Sequence, residues 1–302
     1  MTTLSISTLR DAFGDKLQEN ISLAAYTSAR IGGDANALVI ANSADELAEI
    51  VSQLWDMDAS YLLLGGGSNL LVSDEGFRGV VVLNKAKAIR FIENESPSVI
   101  AESGVMMSRL ANQAATRGLA GLEWAATVPG TVGGAVYGNA GAFDGDMAGN
   151  LIYVELLTEA GREYWDVSDL AYAYRSSKLK RDAVKFAILS AEMALKKGEQ
   201  AQIQERMRSF IQKRKDTQPP GASMGSMFKN PEGDYAGRLI EEAGLKGTRI
   251  GNVEISDIHA NFFINHGETK ASDVIALVQL AQESVKEKFG VSLELEIEVV
   301  GE

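Results

Sequence analysis

The chain of 302 residues contains no cysteine, which removes disulfides, thiol nucleophiles and iron–sulfur ligation together. Only two histidines are present, His259 and His266, so a histidine-rich metal site is excluded, and a Ser-His-Asp triad would have to draw on one of these two. Lys and Arg number 29 against 41 Asp and Glu, a formal net charge of −12. A general nucleic-acid binder would show a basic face instead, and an anionic ligand would need cations placed locally. Nowhere do about 18 apolar residues run together, and the N-terminal MTTLSISTLRDAFGDKLQEN lacks a basic segment followed by an apolar one. The expectation is a cytoplasmic protein with no membrane or nucleic-acid partner. Prolines number five; glycines number 30, six of them between Gly130 and Gly145.

What is present is an interleaving of helical and strand-like segments, which means α/β or α+β. The pattern predicts a helix over Ser7–Gln18, a strand near Asn36–Ile40, and an amphipathic helix from the capping Ser43 through Trp55. Strands are expected at Tyr61–Leu64, Val80–Leu83, Ile89–Ile92, Ser98–Ala101, Ile152–Thr158 and Phe186–Ala194, and a helix over Met107–Arg117. A polar helix, Lys197–Lys215, reads as a connector stopped by Pro219-Pro220-Gly221. Beyond it lie the strand-like HANFFIN, a helix over Ala271–Phe289 and a final strand, Val291–Val300.

Two glycine-rich stretches carry the chemistry. Gly65-Gly66-Gly67-Ser68-Asn69 follows a short apolar strand, where glycines expose backbone N–H groups to an anion. It is not a Walker loop, because no lysine follows at the right distance, and not a dinucleotide fingerprint, because position 70 is leucine. The second stretch, TVPGTVGGAVYGNAGAFDGD from Thr127 to Asp146, has glycines too frequent for a regular helix or central strand and reads as a loop for close approach. Together the two could line an extended, phosphate-containing cofactor.

GGGSNLLVSDEGFRG, VPGTVGGAVYGNAGAFDGD, YRSSKLK, GSMFKNP, AGRLIEEAGLKG and HANFFIN follow one another in an order and spacing that resembles the UDP-N-acetylenolpyruvoylglucosamine reductase family, from about Tyr26 to the C-terminal end. The resemblance implies an α+β chain: a vanillyl-alcohol-oxidase-type FAD-binding fold of two subdomains, 1–57 joined by the C-terminal strand 291–302, and 58–196, plus an α+β substrate-binding domain, 197–290. It is the shorter type, without the extra substrate loop, and is expected to be a monomer. The implied activity is reduction of an enolpyruvyl sugar nucleotide with NADPH and FAD, a step in peptidoglycan and cell-wall synthesis. With no cysteine, and no histidine in the flavin half, the FAD would be non-covalent.

The resemblance assigns Gly65, Gly66, Gly67, Ser68, Asn69, Pro129, Gly130, Gly133, Gly134, Asn139 and Gly141 to FAD. It makes Arg175 the carboxylate-binding and enolate-stabilising cation, Ser226 the proton donor, and Glu296 an acid partner, with no metal. Alternation in the last strand places Glu294, Glu296 and Glu298 on one face, so Glu294 and Glu298 stay open as alternatives to Glu296. Lys229 and Asn230 are expected at the sugar nucleotide and Tyr174 beside it, whereas Lys213, Arg214, Lys215, Lys246 and Arg249 are read as surface cations. His259 is expected to be structural, and Arg30-Ile31-Gly32-Gly33 has no assigned role. The rivals are another oxidoreductase of the same flavin fold and a non-catalytic flavin-binding module.

Overall fold

The computed structural model describes residues 4–182 and 185–301; positions 1–3, 183–184 and 302 of the expected domain ranges lie outside it. The chain forms two compact units, and their limits differ from the three ranges expected from sequence. Unit 1 gathers Val39–Gly66 and Val81–Arg214; unit 2 gathers Ser5–Leu38, Gly67–Val80 and the chain from Lys215 onward. The long strands Asp34–Ala41 and Phe77–Asn84 carry the chain from one unit into the other.

Unit 1 is built on a five-stranded antiparallel sheet in the order Gly161–Asp166, Leu151–Thr158, Phe186–Ala194, Ser98–Glu102, Ile89–Ile92. Val154 opposes Ala191, and both are buried, as strand alternation requires on the covered face. Helix Met107–Thr116 lays Met107, Leu110, Ala111, Ala114 and Ala115 against this core, the spacing of one helical face. The polar helix, Gln200–Thr217, is more than a connector: Ile203 and Met207, one turn apart, are buried in the same core.

The second glycine stretch corrects the expectation of a loop, because Val132–Gly138 is a helix. Thr131 accepts a hydrogen bond from the Gly134 N–H at its start, and Asn139 ends it with φ of 45°. Val132 and Val136 are fully buried, and a Cβ at Gly133 would stand 3.0 Å from that of Ser103. Gly133 is a contact surface here, and the buried valines hold the segment helical despite its poor propensity.

In unit 2, helix Ile6–Phe13 is capped by Ser5 and ended by Gly14 at φ 53°, which is why it stops well short of Gln18. Residues Gln18–Ser22 instead form a strand opposite Asp34–Leu38. Helix Ala271–Phe289 buries Val274, Leu277, Val278, Ala281 and Val285 and ends at Gly290, φ 72°. The final strand is shorter than expected: only Glu298–Val300 is strand, parallel to Leu70–Val72. Upstream, Glu296 N–H still donates to Met227 O, and Glu298 N–H to Asn69 O; the alternation slips where the partner changes, leaving Val299 48% exposed.

Helix Ala271–Phe289 is capped from 197 positions away: the Asp74 carboxylate accepts the N–H groups of Ala271 (2.6 Å) and Ser272 (3.0 Å). Burial opposes ionisation of Asp74, but these bonds outweigh it and hold its carboxyl below the usual range. Asp74→Ala is expected to cost about 1 kcal/mol, a fall in Tm of roughly 2–4 °C. The folded carboxyl has the lower pKa, so its contribution is complete above about pH 4 and is lost as pH falls through the folded value. Thermal melts of both proteins should therefore differ by a constant amount down to about pH 4 and draw closer as the pH falls further.

Candidate functional site

In unit 1 the two glycine stretches lie against each other. A Cβ at Gly65 would come within 2.5 Å of Thr131 Oγ1, and one at Gly66 within 3.0 Å of Gly130 Cα. Strand Tyr61–Leu64 thus ends in backbone pressed onto backbone, with Gly130 at φ 98° and its carbonyl accepting the Met107 N–H. Beside them Thr127 Oγ1 is buried with no hydrogen-bond partner, while Thr127 O accepts from Arg214 Nη1. Bare backbone from two loops, an unsatisfied buried hydroxyl and a guanidinium on the same residue fit a cofactor with an anionic bridge and a polar ring edge, such as FAD. Gly67 has a different reason to be glycine: it belongs to unit 2, has φ 57°, and a Cβ there would meet Tyr26 O at 2.0 Å.

Tyr174 and Arg175 form the tip of a tight turn closed by reciprocal backbone bonds between Ala173 and Ser176 (2.9 and 3.1 Å). Arg175 itself has φ 54°, and four other non-glycine residues between 139 and 175, Asn139, Phe143, Asp144 and Ala171, share the left-handed region. Such backbone persists only where its surroundings hold it. Ser177 Oγ donates to Tyr137 O (2.6 Å), Tyr172 OH to Val136 O (2.9 Å), and Asn139 Nδ2 to Ala173 O (3.2 Å). Burial, with the Asp146 charge second, pushes the Tyr172 phenol above its usual range, which keeps it a donor. Arg175 Nη1 donates to Gly141 O at 3.0 Å.

Two residues expected at the cofactor therefore act on the turn. The Asn139 amide is bonded at both ends, its Oδ1 accepting the Ala148 N–H, and Gly141 supplies the carbonyl that steadies the guanidinium. Arg214 corrects the reading as a surface cation: it is partly buried, and burial together with the nearby Arg175 charge pushes its pKa down. Two neighbouring guanidiniums repel each other and attract an anion. The signal in the sequence was positional, since Arg214 lies on the same helical face as Ile203 and Met207. Tyr174 is 56% exposed, its ring 5.7 Å from the Arg175 guanidinium.

In unit 2, Ser226 follows Gly225 (φ 77°) and is paired across to Phe262. Glu296 N–H donates to Met227 O (2.9 Å), and Glu296 O accepts from Asn69 Nδ2 (3.0 Å), so Ser226, Glu296 and the end of the first glycine stretch are neighbours along one set of backbone contacts. Glu294 is engaged elsewhere, its carboxylate 3.3 Å from Lys229 Nζ. Asn230 Oδ1 accepts the Ala236 N–H and caps helix Ala236–Glu242. Lys246 pairs with Glu241, and Arg249 bonds Asn252 at the surface. His259 Nδ1 accepts the Asn261 N–H, and burial pushes its pKa down, as a structural histidine requires. The Arg30-Gly33 motif is a packing device: a Cβ at Gly32 would be 2.7 Å from that of Val72, and one at Gly33 2.2 Å from Asp74 O. Among the described residues no group of three acids or histidines could hold a metal ion.

Two family models match stretches of this chain. A family model described as FAD binding domain matches residues 35–165, and one described as UDP-N-acetylenolpyruvoylglucosamine reductase, C-terminal domain, matches residues 215–300. Curated proteins of that name from Chloroflexus aurantiacus and Bacillus subtilis are similar: the first is 41% identical over 283 residues, 92% of this chain and 95% of the relative, the second 39% identical over 300 residues, 98% of each. The crystal structure of UDP-N-acetylenolpyruvylglucosamine reductase from Thermus caldophilus superposes with a TM-score of 0.80 at 35% identity, covering 94% of this chain and all of that one. The flavin fold implied by the sequence resemblance is thus the fold of this chain. It belongs to the UDP-N-acetylenolpyruvoylglucosamine reductase family.

Proposed function

We propose that NADPH is the electron donor and that Arg175, Ser226 and Glu296 carry out, on this chain, the FAD-dependent reduction of UDP-N-acetylenolpyruvoylglucosamine that names the family. Bound FAD would supply the redox chemistry, relaying a hydride from NADPH to the enolpyruvyl β-carbon. The residues that would hold it are Gly65, Gly66, Pro129, Gly130, Gly133 and Gly134, with Thr127 and Arg214 beside them and Gly67, Ser68 and Asn69 continuing the first loop.

The protein's task is to manage the charge that the hydride brings. Negative charge spreads into the substrate carboxylate as the double bond is reduced, and a fixed guanidinium there lowers the barrier. Arg175 binds that carboxylate; its planar fork offers two parallel donors where lysine offers one point charge. Ser226 Oγ gives its proton to the α-carbon and regains one from water, so the double bond gains one hydride and one proton in total. A serine hydroxyl is a weak acid, so the transfer depends on placing it against a strongly basic carbanion. Glu296 supports that transfer from beside Met227, while Lys229, Asn230 and Tyr174 bind the sugar nucleotide. The product is UDP-N-acetylmuramate, a peptidoglycan precursor.

Among the described residues no helix is long and apolar enough to cross a membrane, in keeping with a cytoplasmic enzyme working on a small anionic substrate. One observation supports the mechanism above the others: the guanidinium of Arg175, on a left-handed turn residue, is steadied by the Gly141 carbonyl. The purified protein should be yellow, and its NADPH oxidation should accelerate sharply when the enolpyruvyl sugar nucleotide is added. Turnover with unrelated acceptors and none with that substrate would overturn the proposal.

A further inference from the structure

The segment that carries Ser226 runs between two other stretches of unit 2. On one side its backbone is paired in the ordinary way: Glu296 N–H donates to Met227 O, and Lys229 N–H to Glu294 O, each at 2.9 Å. On the other side the backbone pairing reaches Met227, whose N–H donates to Asn261 O at 2.8 Å. There the partner chain is folded into a tight turn, with Phe262 N–H donating to His259 O and Ser256 N–H to Phe262 O. Phe228 is fully buried, and its peptide groups need partners that this turn's backbone does not supply.

A side chain supplies them. The Phe228 N–H donates to Asn261 Oδ1 at 2.9 Å, and Asn261 Nδ2 donates to Phe228 O at 2.8 Å. Asn261 is 3% exposed, and its own N–H is held by His259 Nδ1. We propose that Asn261 is a positioning residue for Ser226: its amide stands in for the missing strand, fixes the peptide two residues beyond the serine, and so fixes where the hydroxyl points.

Only asparagine meets the requirement. The clasp needs one donor and one acceptor in one plane at the spacing of a strand neighbour; aspartate has no donor to offer the Phe228 carbonyl, glutamine is one methylene too long, and alanine leaves two buried peptide groups unsatisfied. The proposal rests on Ser226 as proton donor. A displacement of about 1 Å at such a group can cost on the order of 100-fold in rate, so a merely loosened clasp would show in the protonation step.

The experiment separates the half-reactions by stopped flow. In Asn261→Asp, bleaching of the flavin absorbance by NADPH is expected within about twofold of wild type, while reoxidation by the enolpyruvyl sugar nucleotide slows at least tenfold. In a Ser226→Ala background the same substitution should add less than twofold, because its effect passes through the hydroxyl. Amide exchange at Met227 and Phe228 should quicken in the variant before any substrate is added. Equal slowing of both half-reactions, or an undiminished effect in the Ser226→Ala background, would make Asn261 structural only. Should Asn261→Asp fail to fold, Asn261→Ser is read by the same rates and exchange. Full turnover by Ser226→Ala alone would instead remove the proton-donor reading.

Discussion

Ser226→Ala is expected to be reduced by NADPH at close to the wild-type rate and then to pass its electrons to the enolpyruvyl substrate roughly 10²–10⁴-fold more slowly, the range of a lost general acid. The substitution deletes one oxygen and leaves the backbone contacts of the segment, Ser226 with Phe262 and Met227 with Asn261, in place. Its effect should therefore be confined to the proton transfer, with little change in melting temperature. Single-turnover reoxidation in H₂O and D₂O checks it: the wild type should show a solvent isotope effect on this step. Undiminished turnover in the alanine variant would show that water or another group supplies the proton.

Arg175→Lys is expected to lower kcat by about 10²–10³-fold, the magnitude of losing a preorganised charge-stabilising donor. Lysine keeps the charge but not the fork, and its shorter reach forfeits the bond to Gly141 O. The left-handed backbone at this position offers a control for strain. Glycine adopts φ 54° without the penalty a side chain incurs, so Arg175→Gly should be at least as stable as Arg175→Ala, with both inactive. Steady-state kinetics beside thermal melts separate the two effects. A lysine variant with wild-type kcat would show that a point charge suffices.

Local pattern made much of the scaffold legible. Helix Ala44–Asp56 starts at Ser43, whose Oγ accepts the Glu46 N–H, as the spacing of cap and apolar face implied. Strand Phe186–Ala194 and helix Ala271–Phe289 lie where their periodicities placed them. The failures share a cause. Val132–Gly138 is a helix where a loop is expected because helix propensity describes an isolated chain, whereas here Gly133 meets a neighbouring strand end and Val132 and Val136 are buried. The last strand is shorter than expected because the apolar–polar alternation of the sequence runs across the point where its partner changes, although the burial does not follow it.

The candidate site divides in the same way. Order and spacing of six motifs sufficed to name the family, and they nominate Arg175, Ser226 and the two glycine stretches as candidates. They could not say that Asn139 and Gly141 brace the arginine turn, that Arg214 leaves the surface to bond Thr127, or that Asn261 clasps Phe228.

By itself, then, the chain's order of residues determined the periodic elements, the absence of thiol chemistry and the kinship. Tertiary structure alone decided that an aspartate at position 74 caps a helix beginning at 271, and that an asparagine side chain serves as a strand neighbour. The physical reason is range: periodicity and capping act over a few residues, whereas a buried peptide group takes whichever distant partner the folded chain brings within about 3 Å.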